Sequence, residues 1–244
     1  MASDDPASAP GAVTVGGSLR ALGSLPSGVT VHVYDHVYRL VRYAIVAGAI
    51  EPGVRVVEAS LAEHLQVSRT PVRDALRRLE ADGLLVRRGG SLVVHAFSPT
   101  EIDDIFRVRR ELDALTARLA AERGGAADWA MLRAAALALG EVVTRHGPSS
   151  YERSEAHEAL HRAIYQVAFA PAVATAVGER MLGLAAIASE LSYAGGVDEP
   201  VVEQHLELIE ALASADVERA VAASDRHCED ARRVTEPDTA PAGA

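Results

Sequence analysis

Four histidines in the second half of the chain, His157, His161, His205 and His227, are the side chains best placed to hold something between them. His157 and His161 are four residues apart, which on an α-helix sets them about 40° apart on one face. That face is apolar, because Leu160, Ile164, Val167 and Ala168 share its arc. His205 falls among Val201, Leu208, Ile209 and Leu212, and His227 among Ala220, Ala223, Ala231 and Val234. Three helices therefore point four imidazoles inward. Imidazole suits Zn, Cu, Fe and Ni, and facing helices of a bundle are where such sites are built. One pair alone is weak evidence, since an inward histidine is usually a satisfied core residue and His32 and His36 form another pair with no sign of a site. His157-Glu158-Ala159-Leu160-His161 also spells H-E-x-x-H, in which the glutamate serves as the general base of a metal-dependent hydrolase. Hydrolysis is the alternative reading of the same residues. Arg109 lies within the arc of Ile102, Ile105, Leu112 and Leu119, so its guanidinium faces inward and needs a partner. That partner is either Asp113, four residues on, or the carboxylate of a bound small molecule. Tyr165 and Tyr193 either line the same space or simply pack.

A second constellation lies in the first half. Ser68-Arg69-Thr70-Pro71-Val72-Arg73 gathers two guanidiniums and two hydroxyls at the start of a helix. Such a terminus offers unpaired N–H groups and a partial positive charge to phosphate. An arginine there can also fork onto a guanine edge in the major groove. Arg87 and Arg88, at the tip of a hairpin, are placed to follow the flanking backbone or minor groove. The bland reading is an arginine-rich, solvated helix end.

The elements that position these residues follow from periodicity. Val33, Val37, Leu40, Val41, Ala44 and Ile45 recur at helical spacing until Gly48 and Glu51-Pro52-Gly53 stop them. A short helix around Leu61, Ala62 and Leu65 leads into a tight turn at Gln66-Val67-Ser68. Thr70 before Pro71 predicts an N-cap with proline at the first helical position. Val72, Ala75, Leu76 and Leu79 carry that helix to Asp82-Gly83, and LLVRRGGSLVVHAF reads as a hairpin about Gly89-Gly90. Helix, short helix, turn, helix and hairpin make a helix-turn-helix with a wing. Beyond Ala96, Ser98-Pro99-Thr100-Glu101 is a capping signature, and helices are expected near 99–123, 127–146, 150–169, 172–193, 199–214 and 216–234.

Composition agrees with two units. The chain has 244 residues, 49% of them apolar but only 4% aromatic, which favours helix-on-helix packing. Cys228 is the single cysteine, so neither a disulfide scaffold nor a cysteine-rich zinc module is available. All 24 basic residues are arginine. Residues 30–96 carry 9 Arg against 7 Asp and Glu, whereas residues 97–236 carry 14 against 24. A near-neutral front joined to an acidic rear implies different partners. No apolar run is long enough for a membrane span, and the acidic, proline-containing start is unlike a signal peptide.

Residues 51–90, EPGVRVVEASLAEHLQVSRTPVRDALRRLEADGLLVRRGG, are similar without a gap to the N-terminal domain of the GntR family of bacterial transcription regulators. The PG, LAE, VSRTPVR, AL, LE and GL elements fall at that family's spacing. The resemblance implies that Arg69, Thr70 and Arg73 contact DNA, together with backbone near Gly90; Ala59 stands where some members carry an arginine. Residues 100–235 resemble, more loosely, the all-helical effector-binding FCD domain of the FadR-type subgroup. The anchors are VRRELDALTARLAAERG, HEALHRAI and EQHLELIEAL, followed by a C-terminal histidine. Many such domains hold a divalent metal through one Asp and three His. His161, His205 and His227 match the histidines, and His157 occupies the Asp position. Without the anionic ligand the metal's charge is uncompensated, which should draw an anion or weaken a hard ion such as Mn²⁺. His157 is either a fourth ligand or a bystander. The resemblance also places a recurrent arginine at Arg109, consistent with a carboxylate clamp.

The expected protein is mainly α. It comprises a flexible arm (1–29), a winged helix-turn-helix (30–96), an all-helical antiparallel bundle of FCD type for effector binding and dimerisation (97–236) and a flexible tail (237–244). It is expected to be a cytoplasmic, homodimeric transcription regulator and not an enzyme. Its partners would be double-stranded DNA bearing a short inverted repeat, a divalent transition metal (Zn, Ni or Mn) and a small carboxylate effector. Ser68, Arg69, Thr70, Arg73, Arg87, Arg88 and Gly90 would meet DNA, the four histidines the metal, and Arg109 the effector. A purely structural metal without effector is the remaining variant.

Overall fold

A computed structural model describes residues 33–46, 48–147, 150–178 and 200–233. The expected arm, the tail, most of the 172–193 helix and Tyr193 lie outside the described residues. The chain divides between Ala96 and Phe97 into two compact units.

In the first unit, α1 (Val33–Val46) packs on α3 (Arg69–Ala81), with α2 (Glu58–Leu65) also against α3. Val37, Leu40, Val41 and Ala44 of α1 and Val72, Ala75, Leu76 and Leu79 of α3 form the buried seam. Tyr38 Oη donates to Asp82 Oδ2 at 2.7 Å, and the Arg78 guanidinium lies 4.2 Å over the Tyr38 ring. These contacts fasten the end of α3 to α1. Gln66, at φ 55°, closes α2 in the left-handed region and turns the chain toward α3.

The start of α3 differs from expectation. Ser68 is the N-cap residue in extended conformation, and Thr70 and Pro71 lie inside the first turn. Proline is tolerated there because the first-turn N–H groups have no intrahelical acceptor to lose.

β1 (Leu85–Arg88) and β2 (Ser91–Val94) pair antiparallel in the register Leu85↔Val94 to Arg88↔Ser91. The two-residue loop between them needs positive φ twice, supplied by Gly89 (55°) and Gly90 (79°). Arg55 bridges to Val93 on the other side of β2, with Val56 N–H donating to the Leu92 carbonyl at 2.9 Å. The wing is thus anchored to the segment entering α2.

Among its described residues the second unit consists of helices and the short turns that join them, with no strand. Its elements are α4 (Pro99–Arg123), α5 (Ala126–His146), α6 (Tyr151–Ala168), α7 (described over 171–178), α8 (Pro200–Ala213) and α9 (Val217–Arg233). Where they fall among the described residues, their ends lie within a residue or two of the expected ones. The Ser98 signature is realised: Glu101 N–H donates to Ser98 Oγ at 3.3 Å and Ser98 N–H to Glu101 Oε2 at 2.8 Å. α4 packs on α6 and α9, α5 on α6 and α8, and α8 on α9. Ala117, Ala120, Leu132, Ala136, Leu139, Leu160, Ile164, Ile209 and Leu212 form the core between them. Gly124 joins α4 to α5 where a β-carbon would stand 2.3 Å from the Trp129 ring. The glycine is needed there for space, since its φ of −72° is ordinary.

Candidate metal centre and nucleic-acid interface

His157 and His161 come from α6, His205 from α8 and His227 from α9, and all four are buried. Each offers one ring nitrogen, and the four nitrogens lie within 4.8 Å of one another. His161 Nε2 is 3.2 Å from both His157 Nε2 and His205 Nε2. Nitrogens about 2.0–2.1 Å from a tetrahedral ion stand about 3.3–3.4 Å apart, close to that spacing. The helical periodicity that placed these residues inward is what brings them together.

The cluster poses a hydrogen-bonding problem that protein groups alone leave unsolved. His205 Nδ1 is bonded to the Val201 carbonyl one turn back, so Nδ1 carries the proton and Nε2 presents a lone pair. His227 has no hydrogen-bond partner for either ring nitrogen, although both are buried. An orphaned buried polar atom costs about 1–3 kcal/mol. Burial pushes all four histidines below their ordinary value. Neighbouring histidines and Arg153 add to this at His157, His205 and Arg109 at His161, and His205, His161 and Arg109 at His227. His205 is lowered to about 4, chiefly by burial, with Arg109 and Arg153 assisting against the opposing Val201 bond. The set is therefore neutral near pH 7, the state in which imidazole ligates. These donors fit a divalent transition metal.

Glu158 stands outside the group. Its carboxylate lies 4.0 Å from Arg162 Nη2, one turn on along α6.

Arg109 is 1% exposed and its Nε donates to Asp113 Oδ2 at 3.1 Å. Tyr165 Oη donates to Asp113 Oδ1 at 3.1 Å. Burial is the largest single influence and would lower the guanidinium, but Asp113 by charge and hydrogen bond, with Cys228 and Tyr165, together hold Arg109 above its ordinary value. The expected ion pair is present, yet Nη1 remains buried without a hydrogen-bond partner. A cavity of about 20 Å³ adjoins the network, lined by Asp113, Thr116, His161, Tyr165, Ser224 and His227 among others. The sequence reading missed Arg153, Thr116 and Ser224. A buried arginine among the helix-start residues of α6 gave no periodic signal.

Ser68, Arg69 and Thr70 lie exposed at the start of α3, Arg73 exposed one turn on, and Arg87, Arg88 and Gly90 exposed on the hairpin. A groove of about 320 Å³ runs between α3 and the hairpin, lined by Arg73, Arg77, Arg87, Gly90 and, from the segment before α2, Arg55. Two carboxylates share it. Glu58 Oε2 is 3.5 Å from Arg73 Nε, and Glu80 accepts from Arg87 Nε at 2.8 Å and Nη2 at 3.2 Å. Neither glutamate was singled out from the sequence, because each belongs to an element other than that of its arginine or lies seven residues away.

Comparison with known proteins agrees with both halves. Residues 33–93 match the family described as bacterial regulatory proteins, gntR family, and residues 104–230 match the FCD domain. The HTH-type transcriptional regulator McbR of Escherichia coli (strain K12) is 37% identical over 82 residues, which are 33% of this chain and 37% of that protein. YdhC of Bacillus subtilis (strain 168), also named as an HTH-type regulator, is 36% identical over 89 residues, 35% of this chain and 39% of that one. The chain thus matches well under two thirds of the length of these curated relatives. Among solved structures, E. coli McbR/YncC superposes with a TM-score of 0.68 at 23% identity, covering 84% of this chain and 98% of that one. A GntR protein from Rhodococcus sp. RHA1 gives 0.62 at 21% identity, covering 82% and 95%. These two show the shared fold. With the FCD domain matched over more than half of the chain and a gntR-type winged helix-turn-helix preceding it in sequence, the chain belongs to the FCD-domain proteins that carry a gntR-family domain.

Proposed function

We propose that this protein is a DNA-binding transcription regulator, and that its operator affinity is set by a small carboxylate metabolite bound beside a metal in the helical unit. The observation that carries the reading is His227, with both nitrogens orphaned among three other neutral imidazoles and within electrostatic reach of Arg109, whose Nη1 is also unfilled. His157, His161, His205 and His227 would hold the ion, of which Zn²⁺ and Ni²⁺ suit an all-nitrogen set better than Mn²⁺. When bound, the ion supplies uncompensated positive charge in a dry core. Arg109 then orients an anion, and Asp113, itself held by the Tyr165 hydroxyl, fixes the guanidinium. A metabolite exceeds the cavity of about 20 Å³, so its entry requires side chains to move. Unequal affinity for the two arrangements is what couples binding to DNA.

In the first unit, Arg69, Thr70, Arg73 and Ser68 would meet bases and phosphates in the major groove. Arg87, Arg88 and the backbone at Gly90 would meet the flanking strand. A homodimer acting in the cytoplasm on a two-fold operator suits so small a reading head. The cavity's size favours a second reading, in which the metal only braces the bundle and no effector binds.

Metal content by mass spectrometry, thermal melting with small carboxylates, and operator binding by gel shift test these together. About one metal per chain is expected, lost on His205→Ala, with a carboxylate that raises melting temperature and shifts operator affinity in parallel. Metal without any carboxylate response favours the bracing role. A metal-free protein that senses its effector at full strength refutes the proposal.

A further inference from the structure

The groove between α3 and the hairpin holds four arginines, Arg55, Arg73, Arg77 and Arg87, and two glutamates, Glu58 and Glu80. Two of these arginines are among the residues assigned to DNA, and both are engaged by carboxylates. Glu80, near the end of α3, grips Arg87 of β1 with two hydrogen bonds, a fork-to-fork arrangement that also sets the direction of the guanidinium. Glu58, the first residue of α2, stands 3.5 Å from Arg73 on α3. A carboxylate offers a guanidinium the same planar pair of oxygens as a phosphodiester. All four side chains are at least 30% exposed, so water and a nucleic-acid backbone can reach the pairs.

We infer that Glu58 and Glu80 are internal stand-ins for DNA phosphate, which occupy Arg73 and Arg87 in the free protein and yield them on binding. The arginine-lined groove is the phosphate seat they guard, with Arg55 and Arg77 as further contacts to the same strand. Any duplex must displace the carboxylates to take the arginines. A correctly docked operator repays that exchange with phosphates and base edges in register, and a misdocked duplex repays less of it. The glutamates therefore weaken binding to arbitrary DNA more than binding to the operator, and act on specificity without touching a base. Their pairs also hold both guanidiniums in place beforehand, so fewer rotamers are lost on docking. The inference rests on Arg73 and Arg87 contacting DNA.

The test is a double-mutant cycle in the full-length protein, read as affinity for a fluorescent duplex of random sequence about three helical turns long. Arg87→Ala should weaken binding, which checks the underlying contact. Glu80→Gln, nearly isosteric, should tighten it about two- to five-fold, the range expected when an exposed pair no longer competes. In the Arg87→Ala background the same change should gain clearly less, because the arginine it liberates is gone. Glu58→Gln with Arg73→Ala gives an independent second cycle should either variant fold poorly. If Arg87→Ala and Arg73→Ala bind like wild type, the DNA-contact reading fails. If they weaken binding but the glutamine variants give no gain, or an equal gain with and without the arginine, only general charge is at work and the stand-in role is overturned.

Discussion

Replacing Asp113 by asparagine should damage the helical unit far more than its conservative size implies. The Arg109 side chain is 2% exposed, and Asp113, at 12%, is its one carboxylate partner among the described residues, 3.1 Å away. Two charges about 4 Å apart at an effective dielectric near 20 attract by about 4 kcal/mol. Removing one member of a buried pair costs about 3–5 kcal/mol, because the other stays buried and uncompensated. Asp113→Asn leaves a guanidinium that has no way to shed its proton. Arg109→Met leaves a carboxylate that retains the Tyr165 hydroxyl and some solvent contact, and should cost less, about 1–3 kcal/mol. The order of the two variants is therefore part of the prediction. Urea unfolding followed by far-UV circular dichroism at pH 7 reads both losses, provided the slope with denaturant is unchanged. A loss below about 1 kcal/mol for Asp113→Asn, as for a solvated surface pair, would refute the reasoning.

Three further outcomes are expected. Gly124→Ala drives a methyl into the Trp129 ring and should cost about 1–3 kcal/mol in a thermal melt, whereas an ordinary surface glycine would gain from the same change. Arg69→Ala and Arg73→Ala should each lose about 1–3 kcal/mol of operator affinity in a gel shift without lowering the melting temperature, since both are exposed. In metal-free protein, His205 titrates at about 4 folded and 6.5 unfolded, so between those values the unfolded chain binds the proton and the folded chain does not. Stability should fall as pH drops below about 6.5, with about 3 kcal/mol lost to His205 by pH 4, checked by urea midpoints at successive pH values.

Most of the site was legible because helical periodicity carries it. His157 and His161 share a face by their spacing, His205 and His227 sit in apolar arcs, and four inward imidazoles on three helices had to meet in one core. Arg109 was read as inward for the same reason, and both halves of its ambiguity survive: the Asp113 pair exists, and Nη1 still lacks a partner. What periodicity conveys poorly is long-range pairing. Glu58 and Arg73 are on different helices, Tyr165 reaches Asp113 across the bundle, and no local pattern announces either. The start of α3 was misplaced by two residues because a proline signals a first turn without specifying which of its positions it fills.

Trp129, wedged over Gly124 at the joint of α4 and α5, is the only tryptophan in the chain. It is 8% exposed and belongs to the helical unit, while the winged unit has none. Indole emission excited at the red edge therefore comes from the bundle alone, and shifts when that joint opens to water. Helicity, by contrast, is summed over both units. Denaturation of the intact chain, followed by emission and by helicity side by side, separates the stability of the helical unit from that of the winged unit. The sequence thus carries its own optical label on the half of the molecule where ligand effects are to be sought.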